Sequence, residues 1–205
     1  MDRIFMRRPL IITSLLACIT VVLVSCRAPY CKGSRISYDD KYMPIPIMSC
    51  GSADVQDMVS FFLATNSVAN VNQVTQIAEL YIKEAAIENV NHDIAFCQMC
   101  VETNYLRFGG DVKALQNNFC GIGATGGGAS GASFKTARIG IRAHIQHLKA
   151  YASTGSLHRK LVDPRFDHVR RGSAPYVNDL TGKWAVDLLY GAKMKKKLQV
   201  LAGYL

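Results

Sequence analysis

Glu102 is the side chain whose setting in the sequence best suits proton chemistry. It closes a helical pattern that starts near Asn91, and a stretch crowded with glycine follows it. A carboxylate at a helix C-terminus faces the negative end of the helix dipole, which does nothing to stabilise its charge. The aromatic neighbours Tyr105 and Phe108 are expected to strip water from it. Both influences favour the protonated form, and a carboxyl still protonated near neutral pH is a general acid. Spacing alone does not separate this reading from a solvated glutamate at a helix end.

Other reactive side chains are read more plainly. Cys97-Gln98-Met99-Cys100 has redox or zinc spacing, but it lies inside a helical pattern. There both cysteines serve as small apolar side chains, and no second pair with zinc-finger spacing accompanies them. His144 and His147 stand three apart, a spacing that can share a metal, yet no third ligand is near and a structural role is expected. Glycines 126–128 are not followed by Gly-Lys-Ser/Thr and no strand precedes them, so a phosphate loop is rejected. No metal and no cofactor are expected.

The elements that must position Glu102 are helices. Val55, Met58, Val59 and Phe62 repeat at three and four, which marks a first amphipathic helix. Residues 71–89 form a second, with Val74, Ile77, Ala78, Tyr81 and Ala85 inward and Lys83 and Glu84 outward. Asn91 is a good N-cap for a third helix over about 92–104, with Asp93 in its first turn and Ile94, Cys97 and Val101 as the buried stripe. Periodicity stops over 105–135, where eight glycines argue against a helix and for a functional or disordered excursion. It resumes over about 136–152, with Ile139, Ala143, Ile145 and Leu148 inward. A final helix over about 185–203 carries Lys193, Lys195, Lys196 and Lys197, read as a solvated face that could also track anionic polymer. The sum is a mainly helical single domain with one glycine-rich lobe.

The first residues address the chain. Arg3, Arg7 and Arg8 precede an apolar run from Leu10 to Val24, the arrangement of a secretory signal. At about 15 residues the run is shorter than the roughly 20 that a spanning helix needs. It ends in Leu23-Val24-Ser25-Cys26, similar to the lipobox of bacterial lipoproteins, which implies cleavage before Cys26 and diacylation of its thiol. Leu15-Leu16-Ala17-Cys18 is a second candidate, and an uncleaved anchor a third possibility. Cys26 is preferred because cleavage at Cys18 would leave Ile19 to Val24 as an exposed apolar tail. Each version places the protein outside the cytoplasm, membrane-anchored and facing the periplasm or cell wall. The formal charge is +9 overall and about +7 beyond residue 25, which suits an anionic partner such as wall polymer, membrane surface or nucleic acid, or equally a solvated basic surface. Cys31 and Cys50 flank a Pro-containing segment and could pair.

Several separated motifs occur in one order: Phe96 to Asn104 around Glu102, Asn118-Phe119-Cys120-Gly121-Ile122, Gly123 to Gly128, Ser133-Phe134, Arg142 to Leu148, and Trp184-Ala185-Val186-Asp187 with Tyr190. Over about residues 60–204 this order resembles the glucosaminidase domain of glycoside hydrolase family 73. The resemblance implies a lysozyme-like α+β fold, mainly helical, with an extended lobe beside a substrate groove. It implies cleavage of β-1,4 bonds in peptidoglycan, most specifically an endo-β-N-acetylglucosaminidase activity. Its partners are then glycan strands and the membrane holding the lipid anchor, with no nucleic acid.

Carried over position by position, Glu102 matches the catalytic acid, Asn118 and Gly121 the turn lining the groove, and Phe134 the lobe aromatic. Two departures matter. Members often have a second carboxylate in the lobe, whereas residues 112–135 contain no Asp or Glu and Asp111 lies just before them. Glycosidases usually use two carboxylates, except where the substrate's own acetamido group attacks, and that is the mechanism favoured here. Many members also carry Tyr-Ala-Thr-Asp where this chain has Trp184-Ala185-Val186-Asp187. Trp184 is therefore either a sugar-stacking face or core. The expected organisation is a lipoprotein signal peptide over 1–25, a tether over 26–52 and the catalytic domain over 53–205. The rival reading is a non-catalytic peptidoglycan-binding lipoprotein of the same fold.

Overall fold

A computed structural model describes Tyr38 and residues 43–205. The signal segment, both lipobox candidates (Cys18 and Cys26) and Cys31 lie outside the described residues. Cys50 is disulfide-bonded, and since Cys97, Cys100 and Cys120 are free, its partner also lies outside them. No helix among the described residues is long and apolar enough to cross a membrane.

Five helices carry the domain: α1 Val55–Thr65, α2 Val71–Glu88, α3 His92–Glu102, α4 Ala137–Ala152 and α5 Tyr190–Ala202. Each of the first four starts at a side-chain cap. Asp54 and Asp57 form a reciprocal capping box on α1, and Asn70, Asn91 and Thr136 cap α2, α3 and α4. Such caps satisfy amide groups that a helix start would leave bare, at about 1 kcal/mol each. The last helix begins at Tyr190, later than its sequence pattern suggested, because residues 181–189 form turns.

The third helix is the axle of the fold. The expected stripe of Ile94, Cys97 and Val101 is too narrow, since every residue from Asp93 to Cys100 is buried. Helices α2, α4 and α5 pack around it. Asp93 is fully buried at its N-terminus, where its carboxylate accepts hydrogen bonds from the Tyr38 hydroxyl at 2.7 Å and from the Ser52 and Ala53 amides at 2.7 and 3.2 Å. The segment expected as tether is therefore partly core. Tyr38, Ile45 and Ile47 are buried, and Ile47 bonds through its backbone to Pro175 and Asn91. Prolines 44 and 46 bar regular structure without barring burial.

Glu84, expected to face outward, is buried and takes Arg142 of α4 at 2.8 Å, with Arg138 at 3.3 Å. A single sequence cannot show the cation that a neighbouring helix supplies. Lys83 does face solvent, paired with Glu79.

The lobe over 105–135 contains no strand. It is a set of turns around one short 3-10 turn, Ala114–Gln116, pinned to the start of α4 at one close approach. A Cβ built on Gly140 would lie 1.7 Å from the Asn117 carbonyl oxygen, so only glycine lets α4 and the lobe touch. Gly140→Ala must push the lobe outward, and overpacking of this kind costs about 1–3 kcal/mol. Chemical denaturation should register that loss; an unchanged midpoint would mean that the lobe does not seat on α4 as described.

Candidate active site

Glu102 is the last residue of α3, and the chain turns sharply just beyond it. Asn104, Tyr105, Leu106 and Phe108 all have left-handed backbone, with φ between 48° and 60°. Non-glycine residues in this region carry roughly 1–3 kcal/mol of strain each and cluster at sites that the surroundings over-determine. Here the Tyr105 amide bonds to the Cys100 carbonyl and the Phe108 amide to that of Thr103, both at 2.8 Å. The Asn66 side-chain amide holds the Tyr105 carbonyl at 2.9 Å. Tyr105 itself turns away from Glu102 and packs against Phe61 and Phe62, so it is not the desolvating neighbour expected of it. Phe108 does reach the groove.

Glu102, Asn118, Gly121 and Trp184 line one open cavity of about 430 Å³. Four of the five site residues expected from sequence thus meet. The fifth, Phe134, does not line it; it is buried with Cys120, Ile122 and Ala143 as the core of the lobe. Asn118 shapes the wall rather than offering free polar atoms. Its amide donates to the Ile122 and Ala132 carbonyls and its oxygen accepts from the Ile122 amide, each at 3.0 Å. Gly121 adopts φ +74°, a turn that side chains resist. Asp111 lines the same cavity, which nothing in the sequence disclosed.

The electrostatics centre on one oxygen. Oε1 of Glu102 accepts from the Tyr190 hydroxyl at 2.5 Å and from the Trp184 indole N–H at 3.1 Å. Glu102 is an exposed residue on the groove, with Oε1 turned onto Tyr190 and Trp184. The protein packed around it raises its pKa above the ordinary carboxylate value, and the Tyr190 and Trp184 donors partly offset the rise. Tyr190 in turn accepts from Gln98 Nε2 at 2.7 Å, and Gln98 Oε1 lies 2.9 Å from His144 Nε2. His144 Nδ1 lies 2.9 Å from the Tyr81 hydroxyl. Burial pushes His144 down to about 3, so its ring is neutral.

Tyr190, His144 and Gln98 fall within the sequence motifs, but none of the three belongs to the site expected from them. The only signal for Gln98 is a polar side chain inside an apolar helix.

Trp184 is a shared wall. Its ring sits 5.1 Å from that of His147, 5.5 Å from Tyr151 and 5.7 Å from His144. Asp163 holds His147 Nδ1 at 2.7 Å. Beyond Trp184 a second hollow of about 320 Å³ carries Arg165, His168 and Lys183. The two hollows share Cys120, Gly121, Ala124 and Trp184, so they adjoin, with Glu102 lining the first.

Cys97 and Cys100 are fully buried, with thiols pushed well above their usual range by burial, and they act as packing. Both His144 nitrogens are engaged, and among the described residues no three His, Cys, Asp or Glu side chains gather as a metal site. Of the C-terminal lysines, Lys193 pairs with Asp187 at 2.5 Å and Lys197 lies over the Tyr105 ring.

A mainly helical domain with one crowded carboxyl on an open groove is the arrangement of a lysozyme-like glycosidase domain. The glucosaminidase family profile, described as mannosyl-glycoprotein endo-beta-N-acetylglucosaminidase, matches residues 78–201. A protein of Borreliella burgdorferi described as "Uncharacterized protein" is 48% identical over 165 residues, which is 80% of each chain. The chain belongs to the glucosaminidase family.

The groove wall depends on Asn118. Asn118→Ala removes three hydrogen bonds inside the lobe, and groups left unpaired by such a change cost roughly 1–3 kcal/mol. Limited proteolysis should then cut within residues 105–135 several times faster; an unaltered cleavage rate would show that the lobe is held by other contacts.

Proposed function

We propose that this protein is a peptidoglycan hydrolase acting outside the cytoplasm, an endo-β-N-acetylglucosaminidase in which Glu102 is the general acid. The observation that carries the reading is the Glu102 carboxyl on the wall of an open groove, exposed there while Tyr190 and Trp184 hold its Oε1; the protein packed around it raises its pKa. A general acid works best when its pKa lies near the operating pH, and crowding moves this carboxyl in that direction.

Both donors reach Oε1, so Oε2 is the oxygen that holds the transferable proton. In the proposed reaction Oε2 passes that proton to the bridging oxygen as the bond to the anomeric carbon breaks. The acetamido oxygen of the same sugar closes on that carbon. Water then opens the resulting ring and returns a proton to the Glu102 carboxylate. The anomeric configuration is retained, as expected of two successive displacements. Trp184 offers an aromatic wall to the apolar face of a sugar, and the groove beyond it has room for further residues of a strand. Diacylated Cys26 would hold the domain at a membrane, facing the periplasm or wall.

Asp111 and the rival reading can be tested together. Protein lacking residues 1–26, incubated with sacculi, should release reducing ends, and Glu102→Gln should lower that rate by about 10²-fold or more, the scale of a lost general acid. Glycan binding should survive the change. Binding without reducing ends in the unsubstituted protein would instead favour a glycan-binding module, a reading kept alive by the lack of carboxylates in residues 112–135. Mass spectrometry of the released muropeptides identifies the sugar bearing the new end; N-acetylmuramic acid there would overturn the glucosaminidase assignment.

With substrate assistance, Asp111→Asn should lower kcat by less than about tenfold, the effect of one lost polar contact. A loss matching that of Glu102→Gln would make Asp111 the second catalytic carboxylate and remove the acetamido mechanism.

A further inference from the structure

Behind Glu102 an unbranched hydrogen-bond chain crosses the domain. Tyr81 from α2, His144 from α4, Gln98 from α3 and Tyr190 from α5 link in that order and end on Glu102 Oε1. The first four side chains are buried. Buried polar networks are costly unless fully satisfied, and a leucine or phenylalanine could fill each of these volumes more cheaply. Four helices supplying one polar side chain apiece to a single line of bonds, which terminates on the groove carboxyl, therefore calls for a role.

Such a chain has two self-consistent directions. In one, Tyr81 donates to His144 Nδ1, His144 Nε2–H to Gln98 Oε1, the Gln98 amide N–H to Tyr190, and Tyr190 to Glu102. The other needs the Gln98 amide turned over, since an amide nitrogen does not accept; every bond then reverses, and Glu102 would carry its proton on Oε1, against Tyr190. The Trp184 indole decides between them. It is only a donor and reaches Oε1 at 3.1 Å, and an unprotonated oxygen accepts that N–H better than the hydroxyl oxygen of an Oε1–H would. With His144 neutral, one ring nitrogen donates and the other accepts, as either direction requires.

We propose that Gln98 and His144 are positioning residues that hold Tyr190 as a donor to Glu102, confining the acid proton to Oε2 on the groove side. The proposal rests on Glu102 as general acid. It assigns buried groups that never touch sugar to the aim and acidity of the one that does. The titratable groups around Glu102 are Tyr190 from α5 and, from the lobe side, Cys120 and Asp111; His147 is the titratable group bearing on His144.

The sign of the pH effect follows. Tyr190 stabilises the ionised form of Glu102, so weakening that bond raises the Glu102 pKa. The protonated acid then persists to higher pH, and the alkaline limb of kcat/KM moves upward. The rate constant falls because the proton is no longer confined to the groove side.

The test measures kcat, KM and the pH profile on sacculi for Gln98→Met, Gln98→Glu and Tyr190→Phe. Gln98→Met keeps volume and removes both ends of the amide. It should lower kcat about tenfold, the effect of one lost hydrogen bond, leave KM within twofold, and raise the alkaline limb. Gln98→Glu, once ionised, offers only acceptors, draws the Tyr190 proton away from Glu102, and should raise the limb at least as far. Tyr190→Phe retains the ring and should raise it too, and adding Gln98→Met to Tyr190→Phe should then shift it no further.

A limb that stays in place in Gln98→Met, or a full extra shift in the double variant, overturns the relay, since a purely packing role alters melting temperature without moving the limb. Should Gln98→Met fail to fold, the Tyr190→Phe and Gln98→Glu profiles decide alone. Failure of the underlying reading looks different: Glu102→Gln would then retain turnover.

Discussion

A carboxyl that opens onto a groove is placed and tuned here by a helix buried on every side. Helix α3 is surrounded by α2, α4 and α5, and only its last residue emerges. At its other end the buried Asp93 carboxylate gathers Tyr38, Ser52 and Ala53, so the axis cannot slide without stripping a buried charge of its partners. Truncating one side of such an arrangement leaves an uncompensated group in a medium that solvates it poorly. Glu102 inherits that rigidity, and the left-handed turn behind it directs the chain immediately into the groove wall.

The lobe contributes shape more than chemistry. Its polar side chains are spent on itself: Asn118 closes the 118–122 turn and Asn117 bonds to the Phe134 carbonyl. The cavity's wall on this side is largely backbone and small side chains, together with Phe108 and Asp111. Across from it stand Trp184 and Glu102, joined by the indole hydrogen bond to Oε1.

The ion pairs farther back serve the same end. Lys149 and Glu88 are both buried and pair at 2.8 Å, and Glu88 also accepts from the His158 and Arg159 amides at 2.9–3.1 Å. A buried pair of this kind adds little net stability but gives the chain a single geometry. It ties down the segment that leads to Asp163. Through Asp163 and His147 this order reaches the Trp184 ring, and through Trp184 it reaches Oε1 of Glu102.

Much of this was legible in the chain itself. Helix positions follow from apolar spacing and caps, which are local properties, and Asn91 caps α3 as its place in the sequence indicates. The order of motifs from Phe96 to Tyr190 was enough to single out Glu102, Asn118, Gly121 and Trp184. Local pattern could not tell that Glu84 is buried, that Phe134 supports the lobe from below, or that Ile45 and Ile47 belong to the core. Each of those outcomes depends on a partner distant in sequence: Arg142 for Glu84, the lobe cluster for Phe134, and Pro175 and Asn91 for Ile47. The same holds for the line from Tyr81 to Glu102, whose bonded neighbours lie as far as 92 residues apart. Hydrogen bonds act over about 3 Å, and only the packing of four helices brings those atoms that close.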